Sequence, residues 1–151
     1  MGKESEKTIA ERCAERVLGK DRVMENLGIE LQSVQDGAAV LSMTVGAEML
    51  NSQGNCHGGM IFTLADAAFA FACISCNQAG IGAYAAMDFI RPAAEGDILT
   101  ARSSVRHRGS TVSLVEVLVE NQDGRPIAQL HGRSHNFGRP FLDESDGQAV
   151  T

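Results

Sequence analysis

The chain has 151 residues, of which 44% are hydrophobic and 21% charged, and a formal net charge of −6, a composition that fits one globular domain able to bury roughly 68–70% of its unfolded surface. The acidic balance argues against nucleic acid or an anionic membrane as the main partner, because either would need a basic face. Any anionic ligand must be held by a local cluster of cations.

The stretch from Met1 to Cys13 has no basic segment followed by an apolar one, and Glu6 stands where a myristoylation signal needs Ser or Thr, so neither export nor acylation is expected. A cytoplasmic location follows, with Cys13, Cys56, Cys73 and Cys76 as reduced thiols. Thr8 to Asn26 reads as an amphipathic helix, with Ile9, Cys13 and Val17 at helical intervals and Gly19 as a break. Residues 1–26 are therefore an N-terminal helical segment ahead of a main domain at 27–138. Leu27 to Gln35 and Ala38 to Val45 alternate as strands about Asp36-Gly37, a two-residue hairpin signal.

From Asn51 a polar, glycine-bearing loop leads into an apolar run, Met60 to Ile74, whose only formally charged side chain is Asp66. Apolar residues around the whole wheel predict a helix buried on every side. A membrane span needs about 20 apolar residues, and this run is shorter and interrupted by Asp66. A carboxylate in such a place is either paired and structural or a base facing a cleft.

The residues His57-Gly58-Gly59 put two side chains without Cβ at the helix start, where unpaired N–H groups and the macrodipole favour an oxyanion. Amide donor and carboxylate together are two parts of an acyl-transfer site, although Gly-Gly is also what a tight turn into a helix uses. Cys73-x-x-Cys76 with Cys56-His57 offers four zinc-type ligands. A CxxC inside an apolar helix behaves instead as two small hydrophobes, so no metal is expected. Cys56 beside His57 is poorly aimed for a thiolate pair, since sequence neighbours rarely point at each other.

Beyond the breakers Gly80 and Gly82, Ala83 to Ile90, Asp97 to His107, Thr111 to Asn121 and Ile127 to Phe137 read as long strands. A hairpin, a buried helix and then antiparallel strands give an α+β fold with the helix on one face of a sheet. Strict alternation would place Arg102, Arg106 and Arg108 on one face, with Gly109 and Ser110 in the following turn and Arg133 on the last strand. Such a cluster is a solvated surface or a patch for phosphate groups, which guanidinium pairs in bidentate geometry. The polar tail 139–151 is expected to be disordered.

Asn51, His57-Gly58-Gly59, Leu64-Ala65-Asp66 in the helix and Asp88-Phe89-Ile90-Arg91-Pro92 on the next strand resemble the hotdog-fold acyl-CoA thioesterases of the phenylacetic-acid-degradation (PaaI-like) group, over about Leu27 to Phe137. The resemblance implies a hotdog fold, an antiparallel sheet wrapped around a long central helix. It implies hydrolysis of an acyl- or arylacyl-CoA, with phenylacetyl-CoA or hydroxylated derivatives among the candidates, and no cofactor, since CoA is part of the substrate. It also implies a homodimer, commonly doubled to a homotetramer, in which the HGG loop of one protomer faces the helix Asp of its neighbour.

Carried over residue by residue, the Gly58 N–H would polarise the thioester carbonyl and Asp66 would be general base or nucleophile. Asn51 would orient the water or the thioester, and His57 would fix the loop. Gly59, Asp88, Phe89, Arg91, Arg106, Arg108, Gly109 and Ser110 would contact the substrate, the arginines at the phosphates of CoA. The Ser or Thr often found on the strand opposite the carboxylate is unmatched, because Tyr84, Ala85 and Ala86 stand there. Two other readings remain: a hotdog hydratase or dehydratase, which would pair a catalytic His with a carboxylate, and a non-catalytic acyl-CoA-binding module.

Overall fold

The computed structural model describes residues 6–143. Two short helices come first, α1 (Ile9–Val17) and α2 (Arg22–Leu27). Thr8 and Glu11 form a reciprocal capping box on α1, and the Asp21 carboxylate caps α2 through the Val23 and Met24 amides, each cap satisfying N–H groups that a helix start leaves orphaned. The strands β1 (Glu30–Gln35) and β2 (Ala38–Thr44) form the expected hairpin, with Gly37 at φ 76° supplying the left-handed turn position. A 3-10 turn, Ala47–Met49, precedes α3 (Gly58–Ser75), and four strands follow among the described residues: β3 (Gly80–Phe89), β4 (Ile98–Arg108), β5 (Val112–Glu120) and β6 (Pro126–Asn136).

All six strands are antiparallel neighbours in one sheet, in the order β1-β2-β4-β5-β6-β3. The sheet carries α3 on one face. Leu41, Met43, Leu99, Ala101, Val115, Val117 and Leu130 from the strands meet Leu64, Ala65, Ala68, Phe69 and Ala72 from the helix in one buried core. Small helical residues on that face let α3 lie close, and at one point the sheet has no side chain at all: a Cβ on Gly132 would sit 2.7 Å from two ring carbons of Phe69. By length and hydropathy α3 could cross a membrane, yet its core-facing side is packed on these strands.

The structure corrects the expectation that α3 is buried on every side. Gly59, Asp66 and Ala70 are exposed, with Phe62, Thr63, Ala67, Cys73 and Ile74 half-buried beside them, so one stripe of the helix is left uncovered. It lies next to β3, which among the described residues is an edge strand paired with β6 alone, and where Ile81 (61% exposed), Tyr84 (56%) and Phe89 (57%) stand in the open.

The polar tail does not begin as a free end. The Ala79 N–H donates to the Arg139 carbonyl, the Phe141 N–H to the Asn77 carbonyl and the Leu142 N–H to Asn77 Oδ1. Residues 144–151, the rest of the segment expected to be disordered, lie outside the described residues.

Candidate active site

The loop before α3 is clamped at several points. Asn51 Oδ1 accepts the Gln53 and Asn55 N–H groups at 2.9 and 3.1 Å, an Asx-type turn, so this carbonyl oxygen shapes the loop. The Cys56 N–H donates to the Ala93 carbonyl at 2.8 Å and the His57 N–H to the Met49 carbonyl at 2.7 Å. His57 is the N-cap of α3, and its Nδ1 accepts the Gly59 N–H at 2.9 Å. That capping bond takes Gly59 out of use as a donor. The Gly58 N–H has no acceptor among the described residues, and it stands at the positive end of an 18-residue helix. A Cβ on Gly58 would lie 3.1 Å from the Phe89 ring, so glycine leaves room for the ring to approach this backbone closely.

Asp66 stands two turns further along, on the uncovered stripe. Although its side chain is exposed, the flanking apolar walls strip part of its hydration and push its carboxyl above the ordinary range, and the negative charge of Asp21 adds to the effect. A cleft of about 290 Å³ opens beside it, lined by Phe69, Ala70, Cys73, Ile81 and Gly82 among others. Cys73, in the cleft wall, is an inert thiol, its pKa pushed up to about 11 chiefly by burial. Burial also raises Cys56, whose Sγ faces the His57 carbonyl at 3.7 Å while the imidazole is engaged with Gly59. Cys56 and His57 lie at the start of α3 and Cys73 and Cys76 at its other end, about 27 Å away by helical rise, so the four potential zinc ligands do not form one site.

Other expected substrate contacts are spread over two faces. Phe89 faces α3 beside Gly58, whereas Asp88 pairs with Gln129 and points to the opposite face of the sheet. The Arg91 guanidinium donates to the Pro126 carbonyl at 3.1 Å. The arginines do not share a face as alternation implied. A β-bulge between Val105 and His107 makes Arg106 an extra residue and reverses the parity after it. Arg102 and Arg106 remain on the outer face, beside Glu120 and Glu116 at 3.8 and 2.7 Å.

Arg108 is turned to the helix side of the sheet, where Asp36 holds it through two bonds of 2.8 and 3.3 Å. Gly109 closes the β4–β5 turn ahead of Ser110, and its carbonyl accepts from Asn136 Nδ2 and Gln78 Nε2 at 2.8 and 3.4 Å, tying the turn to the far end of α3. The sequence reading passed over Phe69 and the cleft behind Asp66; the signal was present in Gly82 and Gly132, strand glycines of the kind that mark a close approach.

One arrangement decides what these parts can do. Gly58 and Asp66 are separated by eight residues of continuous helix, about 12 Å along the axis. A thioester carbonyl can be within hydrogen-bond reach of one or the other in a single chain, but not of both.

Residues 53–128 match the family model described as the thioesterase superfamily. The acyl-coenzyme A thioesterase PaaI of Escherichia coli is 41% identical over 125 residues, 83% of this chain and 89% of that protein. The E. coli PaaI structure, described as from the phenylacetic acid degradation operon, superposes with a TM-score of 0.85 at 39% identity, over 87% of this chain and 96% of that one. A Streptococcus mutans protein solved bound to acetyl CoA gives 0.75 at 28% identity, over 82% and 98%.

Proposed function

The chain belongs to the thioesterase superfamily and is a hotdog-fold acyl-CoA thioesterase, and we propose that each of its active sites is assembled from the Gly58 amide of one protomer and the Asp66 carboxylate of another. The 12 Å along α3 between donor and carboxylate carries this reading, and the unpaired β3 edge supplies the way to close it. If β3 pairs antiparallel with its own copy about Ala85, the extra residue between Gly82 and Tyr84 being taken up on each strand, Phe89 of one chain faces Gly80 of the other. Phe89 lies against Gly58, and Gly80 lines the same cleft as Asp66, so the amide of one protomer arrives at the carboxylate of its partner. The same pairing would protect an edge strand and cover the open stripe of α3. A dimer is therefore the minimal active unit, and a dimer of dimers is compatible with it.

In this site the thioester oxygen accepts from the Gly58 N–H, which stabilises the oxyanion as water attacks; losing one such donor typically costs about 10²–10³ in rate. Asp66 takes a proton from the water and later returns it to the departing CoA thiolate. The cleft behind Asp66, walled by Phe69, Ala70, Ile74 and Ile81, would accept the acyl group, and its aromatic and aliphatic lining suits an arylacyl chain such as phenylacetyl or a hydroxylated derivative. No cofactor enters the scheme. A hydratase would pair an imidazole with a carboxylate, whereas the His57 Nδ1 is engaged with a backbone amide. Four cysteines that form no disulfide among the described residues suit the cytoplasm.

The test is thiol release from acetyl-, hexanoyl- and phenylacetyl-CoA, with Asp66→Asn as the variant. Hydrolysis should fall at least ~10²-fold with fold and acyl-CoA binding retained. Near-normal turnover would remove Asp66 from its role, and enoyl-CoA hydration by the wild type would favour the hydratase instead.

A further inference from the structure

A base bonded to water at one point leaves that water free to swing, so the attacking oxygen needs a second anchor. The facing stretch of β3, Gly82 to Ala86, has a hydroxyl only on Tyr84. Tyr84 is paired with Arg133 on the outer face of the sheet and stacked under its guanidinium at 5.6 Å. Ser134 lines the cleft but is 2% exposed, and its hydroxyl donates to Asn136 Oδ1 at 3.1 Å. It lies beneath Cys73, about two helical turns beyond Asp66.

Thr63 is on the stripe itself. It precedes Asp66 by three residues, a spacing that puts the two Cβ atoms roughly 5–6 Å apart on one helix face. Its hydroxyl proton is committed, because Oγ1 donates to the Gly59 carbonyl at 2.8 Å. What Thr63 offers outward is lone pairs, and an ionised Asp66 likewise offers only lone pairs. A water lodged between two acceptors gives one hydrogen to each and turns its own lone pair away from the helix, toward the space where a thioester would lie.

Resting on Asp66 as the base, the geometry points to Thr63 as the second anchor of the hydrolytic water. The water oxygen bonds to the acyl carbon. The hydrogen held by Asp66 passes to the carboxylate, while the hydrogen held by Thr63 stays on the new carboxylic acid. The C–S bond then breaks, and the proton on Asp66 goes to the CoA thiolate. A threonine back-bonded to the carbonyl four residues earlier is otherwise an ordinary helix residue, so the test must separate the two roles.

Thr63→Val keeps the shape and removes the acceptor; Thr63→Ala repeats the removal without β-branching, and Thr63→Ser restores the hydroxyl. Val and Ala should lower kcat about 10- to 100-fold, the scale of a misplaced reactant, with KM unchanged, and Ser should stay near wild type. Added hydroxylamine, a nucleophile that needs no two-point hold on water, should be less affected, so the ratio of hydroxamate to free acid rises in Val and Ala.

The proposal is overturned if both variants keep wild-type kcat, or if acid and hydroxamate fall together, which would mark a helix effect. Asp66→Asn measured in parallel keeps the two readings apart. Inactive Asp66→Asn beside wild-type-like Thr63→Val overturns Thr63 alone, whereas active Asp66→Asn overturns the base on which it depends.

Discussion

Gly58 and Asp66 ride on one uninterrupted helix, α3, with two turns between them. A rigid helix cannot bring its own N-terminal amide to its own mid-point carboxylate, so single-site defects in the two residues should complement. Gly58→Pro removes the N–H at a helix position where proline is accepted, and Asp66→Asn removes the base. Each should be inactive alone. Refolded together at random, they should recover up to about a quarter of wild-type sites, because half the dimers are mixed and each carries one intact pair. Verified mixed dimers without activity, given a folded proline variant, would place donor and base in one protomer.

The raised carboxyl of Asp66 ties stability to pH. Between the ordinary aspartate range and the higher native value, the folded chain holds more protons at this site than the unfolded one, so stability falls as pH rises through that window and the loss is complete above it. Asp66→Asn should therefore raise Tm at pH 7–8 and lose the advantage as pH drops below the ordinary aspartate range. Thermal melts across pH check the sign. The acidic limb of kcat should likewise sit above the ordinary carboxylate range, since the base must be ionised.

Those two predictions depend on a feature that helical periodicity hid. The hairpin at Asp36-Gly37, the first helix from Thr8 and the long strands were legible because each is a local rule: a turn dipeptide, a helical interval, an alternation. The open stripe of α3 was not, because Phe62, Ala67, Ala70 and Ile74 are as apolar as the residues that meet the sheet. Composition around the wheel cannot separate a face covered by the same chain from one left for another. The HGG–Asp pair was readable as chemistry, while its separation followed only once α3 proved continuous. The arginine patch failed for a different reason, since one extra residue at Arg106 reverses every later side chain and no composition signal announces it.

That reversal sets a test for substrate recognition. Arg106 is bonded to Glu116 at 2.7 Å and Arg108 to Asp36 at 2.8 Å, exposed pairs worth about 0.2–1 kcal/mol each. A phosphate could displace either carboxylate at small cost. Because the two face opposite sides of the sheet, each is changed to Ala alone: the one that meets the phosphates should raise KM for acyl-CoA several-fold and leave the matching acyl-pantetheine thioester unchanged, because only uniform binding is lost. Equal effects on both substrates would confine the arginines to their carboxylate partners.

Phe69 and Gly132 offer a test of the cleft. The ring lies on bare backbone, and a Cβ on Gly132 would come within 2.7 Å of it, closer than carbon atoms can approach, with Ala85 and Val115 fixing the strand on either side. Neither backbone can yield easily, so Gly132→Ala must push the ring toward the space beside Asp66. The overpacking should cost about 1–3 kcal/mol, lowering Tm by about 2–4 °C per kcal/mol for a chain of this size. The displaced ring should also raise KM for phenylacetyl-CoA more than for acetyl-CoA, because Phe69 walls the cleft. Phe69→Leu, which shortens the side chain, should restore most of the stability lost in Gly132→Ala. The double-variant cycle should then show a coupling of about 0.5–3 kcal/mol. Additive effects on Tm would mean that the ring and the glycine do not constrain each other, and unchanged discrimination between the two substrates would mean that the acyl group lies elsewhere.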